Sequence, residues 1–518
     1  MTTASDAGRG TATVLGRASV MRAAWWVVFA ALILANLAVV VPGIVTVRLW
    51  EDEAFNLTVP LNLVRGLGYA SDGTLSGSTL TPFDVRISTG PVVLLPVAGL
   101  LALGVDPVLA GRFVATLGYV GLVAALGLLG RRLGGRWAAL VAMAVPLAFE
   151  TAALPSPIQT PVDVLGEVTA AAFLAAALLF VHRRPWLAGL LVGFAIQTKF
   201  IALLAVPAFA VAVLLDAAGP LPARLRATVP RLLVAAAAAA APTLAFELAK
   251  LLTLGLGGYW ANLRDFGYFL LSGGQRGYVV TPGEKIGVLL GSWNLPAGAV
   301  AALAALAVVG GGALLIAAAR LVRRDPDVLG RRGRARVGWR EAATVLIIAI
   351  LGLATFLGWW LVSRHTPGWV RHPAPGILAF APVIGAATVP AARIVWSGSR
   401  SILARAAVAV VGTVLVMALA WSIAGRVATV GTRPGATGET LPDQRAAAAD
   451  IGGLDHDRLA TWWGAAVSIA VLSGAHIGLT DAGEPTADDP TIWAGEPPFD
   501  ECVVELQSGR YTVCAPRP

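Results

Sequence analysis

The sequence predicts an all-α polytopic membrane protein of about 11 transmembrane helices, followed by a small α/β domain. Three observations lead there. Of the 518 residues, 57% are hydrophobic and only 13% charged, about half the charged fraction of a soluble protein. Long apolar runs recur from residue 23 to about residue 425, without the alternation of a membrane β-barrel. Over the last ~90 residues Gly, Pro, Asp and Thr rise, and apolar runs shorten to strand length. The net charge of +9 fits basic cytoplasmic loops and calls for no nucleic-acid partner. Arginine supplies nearly all the cations, and with the heavy Ala, Gly and Val usage this points to a high-GC bacterial source and hence a bacterial cell membrane.

Residues 1–22 are polar with Arg9, Arg17 and Arg22, and read as a cytoplasmic tail. The apolar run at 23–47 is too long for a signal-peptide core, so it reads as a signal anchor and span 1. Arginine clusters at 131–136, 183–184, 224–231, 320–340 and 393–405 are assigned to the cytoplasm by the positive-inside rule. Successive clusters are then separated by even numbers of spans. The run at 91–105 contains Pro96, ends at Asp106-Pro107 and is too short to cross. It reads as a membrane-lying or re-entrant helix in an outer loop, 48–109. The remaining spans fall at 110–130, 137–153, 163–181, two within 186–216 turning near Thr198-Lys199, 231–255, 296–319, 342–363, 375–392 and 402–424. Residues 256–295 read as an outer segment carrying Tyr259, Trp260, Asp265, Arg276, Glu284 and Lys285. A module at 23–425 thus precedes an extracytoplasmic domain at 426–518.

In that domain 443–450 reads as a helix, and 459–463, 467–472 and 503–506 as strands. Cys502 and Cys514 flank two short apolar segments joined by Gln507-Ser508-Gly509, a connection suited to a hairpin with a left-handed last residue. That register sets the two cysteines opposite each other, within disulfide reach in an oxidising compartment; the alternative is two free thiols.

Three constellations carry candidate chemistry. Trp50-Glu51-Asp52-Glu53-Ala54-Phe55 follows span 1 directly, and three adjacent carboxylates mark where the chain leaves hydrocarbon. The plain alternative is a solvated loop. Asp163 and Glu167, four residues apart, share one helix face at the outer end of span 4, and Glu150 ends span 3 near them. An acid inside an apolar span is a functional residue by default, although a helix N-terminus also favours negative charge. Arg364, His365, Arg371 and His372 form a cationic group at the outer ends of spans 9 and 10, suited to phosphate or to interfacial snorkelling. Lys199 stands alone between apolar runs, placed either to snorkel or to meet a headgroup phosphate. The sequence has no Walker loop, no dinucleotide glycine fingerprint and no Cys/His pattern with metal-site spacing.

Taken in order, Asp52-Glu53, Thr89-Gly90-Pro91, Gly111-Arg112-Phe113, Gly130-Arg131-Arg132-Leu133-Gly134, Asp163, Gly193-Phe194-Ala195 with Thr198-Lys199, and Arg371-His372-Pro373 resemble the GT-C superfamily of polyprenyl-phosphate-dependent glycosyltransferases. The resemblance spans roughly 23–395 and includes protein mannosyltransferase-like and aminoarabinose transferase-like enzymes. It implies an inverting transfer of a monosaccharide from a polyprenyl-phosphate donor to a glycan, lipid or protein of the cell envelope. Asp52 matches the catalytic carboxylate, with Glu53 its neighbour. Asp163 or Glu167 matches the second acid. Lys199 and Arg371, with Arg364 and His372 beside it, match positions near the donor phosphate. Some relatives use a divalent metal, which this sequence neither requires nor excludes. The rival reading is a lipid or polysaccharide transporter, whose paired halves the sequence lacks.

Overall fold

The computed structural model describes residues 6–73, 80–149, 158–216, 220–272, 279–324, 334–364, 368–430, 438–480, 489–498 and 502–516. Glu150, Arg276 and His365 lie outside the described residues. Seven helices among the described residues are long and apolar enough to cross a membrane: Ser19–Val45, Pro107–Gly134, Pro222–Leu271, Ala297–Arg324, Ala342–Val362, Ala374–Gly398 and Ile402–Val430. Each falls on an expected span. The other four expected spans, 137–153, 163–181 and the pair in 186–216, are met by shorter apolar helices. The chain is a multi-pass membrane protein built from seven candidate spans with these shorter helices packed among them.

In chain order the helices are α1 (Asp6–Val45), α2 (Glu51–Val64), α3 (Pro91–Ala102), α4 (Pro107–Gly134), α5 (Arg136–Ala148), α6 (Glu167–Phe180), α7 (Pro185–Thr198), α8 (Val206–Asp216) and α9 (Leu221–Ser272). They continue as α10 (Pro282–Gly291), α11 (Ala297–Arg324), α12 (Arg334–Val362), α13 (Ala374–Gly398) and α14 (Ile402–Val430). Proline at the first helical turn opens α3, α4 and α7, where its missing N–H costs nothing. Asp106 caps α4 by accepting from Leu109 N at 3.0 Å.

Helix α6, at 14 residues, is only about 21 Å long, short of the roughly 30 Å hydrocarbon core. It and α7 pack against α4, α9 and α13. Most of α6 is buried within the protein. On α9 and α14, by contrast, the most apolar window is wholly unburied, with Leu233, Leu252, Val410 and Met417 outward. The expected turn near Thr198-Lys199 is present. Helix α7 stops at Thr198, Lys199 is extended, and a 3₁₀ segment, Phe200–Ala205, leads into α8. The expected outer segment at 256–295 differs: the helix continues to Ser272 through a kink at Gly255, whose φ of +66° a glycine adopts without strain.

A two-stranded ribbon, β1 (Ala70–Ser71) with β2 (Thr81–Pro82), lies between α2 and α3. After α14 come α15 (Leu441–Gly452), β3 (Arg458–Thr461), α16 (Ala465–Ser473), β4 (His476–Leu479), β5 (Thr491–Ala494), β6 (Val504–Ser508) and β7 (Tyr511–Cys514). The sheet order is β4-β3-β5-β7-β6. Residues 467–472, expected as a strand, belong to α16. Strands β3 and β4 are parallel, and a parallel pair needs a crossover, which α16 supplies. Ser508 pairs with Tyr511, so the hairpin turns on Gly509-Arg510 rather than on Gln507-Ser508-Gly509, with Gly509 at φ +58°. A disulfide joins Cys502 to Cys514.

This domain is clamped to the start of α2. Gln444 on α15 accepts from Leu49 N (2.7 Å) and donates to Leu49 O (3.0 Å). Leu441 N donates to Thr46 O (2.9 Å) and Arg445 pairs with Asp106 (2.8 Å). Asp72, buried, accepts from Asn62 Nδ2 (2.7 Å) and from Ile477 N of β4 (3.0 Å).

Candidate active site

Glu51, Asp52 and Glu53 form the first turn of α2, where the positive end of the helix dipole favours carboxylates. Successive helical residues point about 100° apart, so the three side chains diverge. Each meets a different arginine. Glu51 pairs with Arg48 at 3.2 Å. Asp52 pairs with Arg371. Glu53 pairs with Arg112 at 3.0 Å.

The Arg112–Glu53 pair is entirely buried. Arg112, near the start of α4, also donates to the carbonyls of Gly43 (2.7 Å), Val47 (2.8 Å) and Arg48 (2.9 Å), which satisfies the end of α1. Glu53 Oε2 accepts from Trp50 N (3.3 Å), and Oε1 accepts from Val164 N (3.1 Å). One ion pair therefore ties α1, α2, α4 and the loop ahead of α6. With no exposed edge, Glu53 is placed as a structural partner and not as a group open to substrate.

Asp163 lies in that loop. It accepts from Thr160 Oγ1 (2.6 Å), Thr160 N (3.1 Å) and Gln159 N (2.6 Å). Burial, then the charge of Glu53, pushes its carboxyl up to about 7, opposed by Arg112 and the Thr160 bonds. It has no hydrogen bond to Asp52 among the described contacts. The same loop holds Gly166 at φ +85°, where a Cβ would meet Thr198 O at 2.8 Å. Gly90 is tighter still: its N–H donates to Thr198 O (2.9 Å), and a Cβ would lie 1.9 Å from Gln197 O. These two glycines draw the starts of α3 and α6 onto the end of α7.

That convergence places Lys199 against Glu167 at 2.8 Å. Lys199 Nζ also donates to Ser88 Oγ (2.8 Å) and Leu165 O (2.9 Å). Burial lowers its pKa, and the Glu167 charge works against this. Glu167 is 1% exposed. The Asp52–Arg371 pair is near enough to act on the same ammonium electrostatically.

Arg371 sits in the turn before α13. Its guanidinium lies 4.7 Å from the Trp369 ring centroid and 5.4 Å from that of Trp50. Its Nε, Trp369 Nε1 and His372 Nδ1 are buried with no hydrogen-bond partner within the protein. Burial, followed by the charges of Arg371, Lys199 and Lys285, holds His372 well below the ordinary histidine range. It is thus a neutral ring at pH 7 and not part of a cationic group. Arg364 is exposed, and its carbonyl accepts from Val280 N (3.2 Å). Asp52 keeps 19% of its side chain exposed.

The structure thus gathers Asp52, Glu53, Asp163, Glu167, Lys199, Arg371 and His372 at one end of the bundle. The sequence reading missed the roles of Arg112, Trp369 and Arg48. Arg112 carried a usable signal, an arginine at the head of an apolar span, which calls for a buried acid nearby. Among the described residues no group of three or more His, Cys, Asp or Glu is placed to hold a metal ion.

Glu53→Gln or Arg112→Met alone strands a buried charge or its donors and costs about 3–5 kcal/mol, read as a lowered Tm in detergent; the double variant recovers part of that loss. For Asp163, whose folded pKa is raised, the stabilising contribution is complete below the ordinary aspartate value near 4 and is lost as pH rises through about 7. Tm measured from about pH 5 to about pH 8 therefore falls in the native protein, and falls less in Asp163→Asn.

No family model matches the chain, and no curated protein matches it by sequence. By structure, the apo form of ArnT from Cupriavidus metallidurans is similar with a TM-score of 0.54 at 12% identity, over 95% of this chain and 98% of that one. ArnT from the same organism bound to undecaprenyl phosphate gives a TM-score of 0.41 at 13% identity, over 96% and 98%. The apo oligosaccharyltransferase of Archaeoglobus fulgidus gives 0.47 at 13%, over 88% of this chain and 64% of that one. Over nearly its whole length the chain shares the fold of ArnT from Cupriavidus metallidurans.

Proposed function

We propose that the protein is an inverting glycosyltransferase that moves a monosaccharide from a polyprenyl-phosphate donor to a cell-envelope acceptor on the outer face of a bacterial cell membrane. The observation that carries this reading is Asp52. It is the partly exposed carboxylate held by Arg371, with two tryptophan rings around the guanidinium and Lys199 nearby. The fold shared with ArnT, a protein also seen bound to undecaprenyl phosphate, supports the donor class. Positive-inside placement of the arginine clusters supports a cytoplasmic N-terminus and an outer C-terminal domain at 426–518.

In this mechanism the donor phosphate binds Arg371, whose fork suits phosphate as well as carboxylate. That releases Asp52. The freed carboxylate takes the proton of an acceptor hydroxyl while its oxygen attacks the anomeric carbon. The bond from that carbon to the phosphate oxygen breaks, and the polyprenyl phosphate leaves with its charge held by Arg371, with Lys199 contributing field. A single displacement inverts the anomeric centre. Glu53, Asp163 and Glu167 position the site through Arg112, the loop ahead of α6 and Lys199, in place of the direct catalytic parts expected of them.

Two measurements test this in proteoliposomes supplied with a labelled polyprenyl-phosphate sugar and envelope acceptors. Asp52→Asn, expressed and folded, loses sugar transfer by roughly 10²–10⁴-fold; unchanged transfer removes the reading. Arg371→Ala lowers kcat/KM for the donor by about 10²-fold or more, and Arg371→Lys, which keeps the charge without the fork, restores only part. Movement of an intact lipid or polysaccharide with no new glycosidic bond would point instead to transport.

A further inference from the structure

Helix α2 meets the C-terminal domain at both of its ends, and the two meeting points differ in chemistry. Near Asp52, Phe55 packs edge to face on Trp463, ring centroids 5.4 Å apart. Trp462, beside it, packs on Trp493 at 5.2 Å. Trp462 and Trp463 are 45% and 37% exposed, and directly follow β3. About 20 Å away, at the far end of the 14-residue α2, lies a cavity of about 310 Å³ whose lining includes Arg65, His456, Asp457 and His476. Arg65 donates to Gly474 O (2.9 Å) and lies 3.4 Å from His476 Nε2. His476 Nδ1 meets the buried Asp72 at 2.9 Å, which fixes the ring and turns Nε2 toward the Arg65 side. His456 and Asp457 directly precede β3. Strand β3 thus connects the polar cavity to the tryptophan pair, along the same helix that begins with Asp52.

We infer that this track is an acceptor subsite, and that the acceptor is an extended glycan several sugars long. The chemistry favours a glycan over a lipid or a peptide. Exposed tryptophans offer flat faces for the C–H-rich side of a sugar ring. The cavity sets a donor and an acceptor side by side, Arg65 and Asp457, as hydroxyls that both donate and accept require, with His456 held by Glu505 at 2.9 Å and His476 held between Asp72 and Arg65. Its volume lies at the lower end of the range for small-molecule pockets, the scale of one or two sugars. A lipid acceptor has no use for a polar cavity some 20 Å from the reacting carboxylate. The direction of growth rests on the transferase reading above; the binding itself does not.

The test uses the full chain in lipid nanodiscs, titrated with ladders of linear pyranose and furanose oligosaccharides from the monosaccharide upward. Tryptophan fluorescence and ligand-observed NMR report binding. Affinity rises with glycan length until the track is filled. Trp462→Ala and Asp457→Asn each weaken the long oligosaccharides by roughly tenfold or more and keep the native Tm. Absence of length-dependent binding in every ladder overturns the inference. So does Trp462→Ala altering only adsorption to lipid vesicles, which marks the pair as a membrane anchor. Length-dependent binding without sugar transfer keeps the track and removes the transferase reading; sugar transfer indifferent to acceptor length does the reverse.

Discussion

Three carboxylates in consecutive positions of a helix cannot face the same way, and the structure depends on how that rotation distributes them. The buried pair between Glu53 and Arg112 is the fixed point. It holds the carbonyls at the end of α1, the start of α2 and the loop ahead of α6 in one place. An unpaired charge at that depth would cost several kcal/mol, so the geometry has little freedom to drift. With Glu53 pinned inward, Asp52 is set about 100° away and meets Arg371 across the chain.

A second layer of constraint comes from backbone proximity. Gly90 and Gly166 let two helix starts approach the last carbonyls of α7 more closely than any side chain permits. That approach brings Lys199, Glu167 and Ser88 together. The site is therefore made where helices end, and not along their length. Its charges lie at the ends of the apolar helices, the place the proposed reaction assigns to the donor phosphate and its sugar.

Much of this was legible in the chain. Apolar runs marked the seven long helices, because the bilayer sets a minimum length that hydropathy reports directly. The acidic stretch, Arg371 and Lys199 stood out as charges bordering apolar runs. What hydropathy does not carry is how much of a short apolar run is covered by protein, as most of α6 is. Nor does a list of residues carry rotation. Glu53 and Asp52 look equivalent in sequence, yet one is sealed by a partner 59 positions away and the other faces a partner 319 positions away. His372 looked cationic until its surroundings showed it buried among like charges. In the small domain, 467–472 was apolar enough for a strand, but two parallel strands on either side required a helix.

The central claim is that Arg371 exchanges Asp52 for the donor phosphate. A cryo-EM structure of the full chain in nanodiscs with a bound polyprenyl phosphate tests it directly. The account predicts phosphate oxygens on the Arg371 guanidinium and Asp52 released toward the open side. A phosphate seated elsewhere, with the Asp52–Arg371 pair intact, would contradict it.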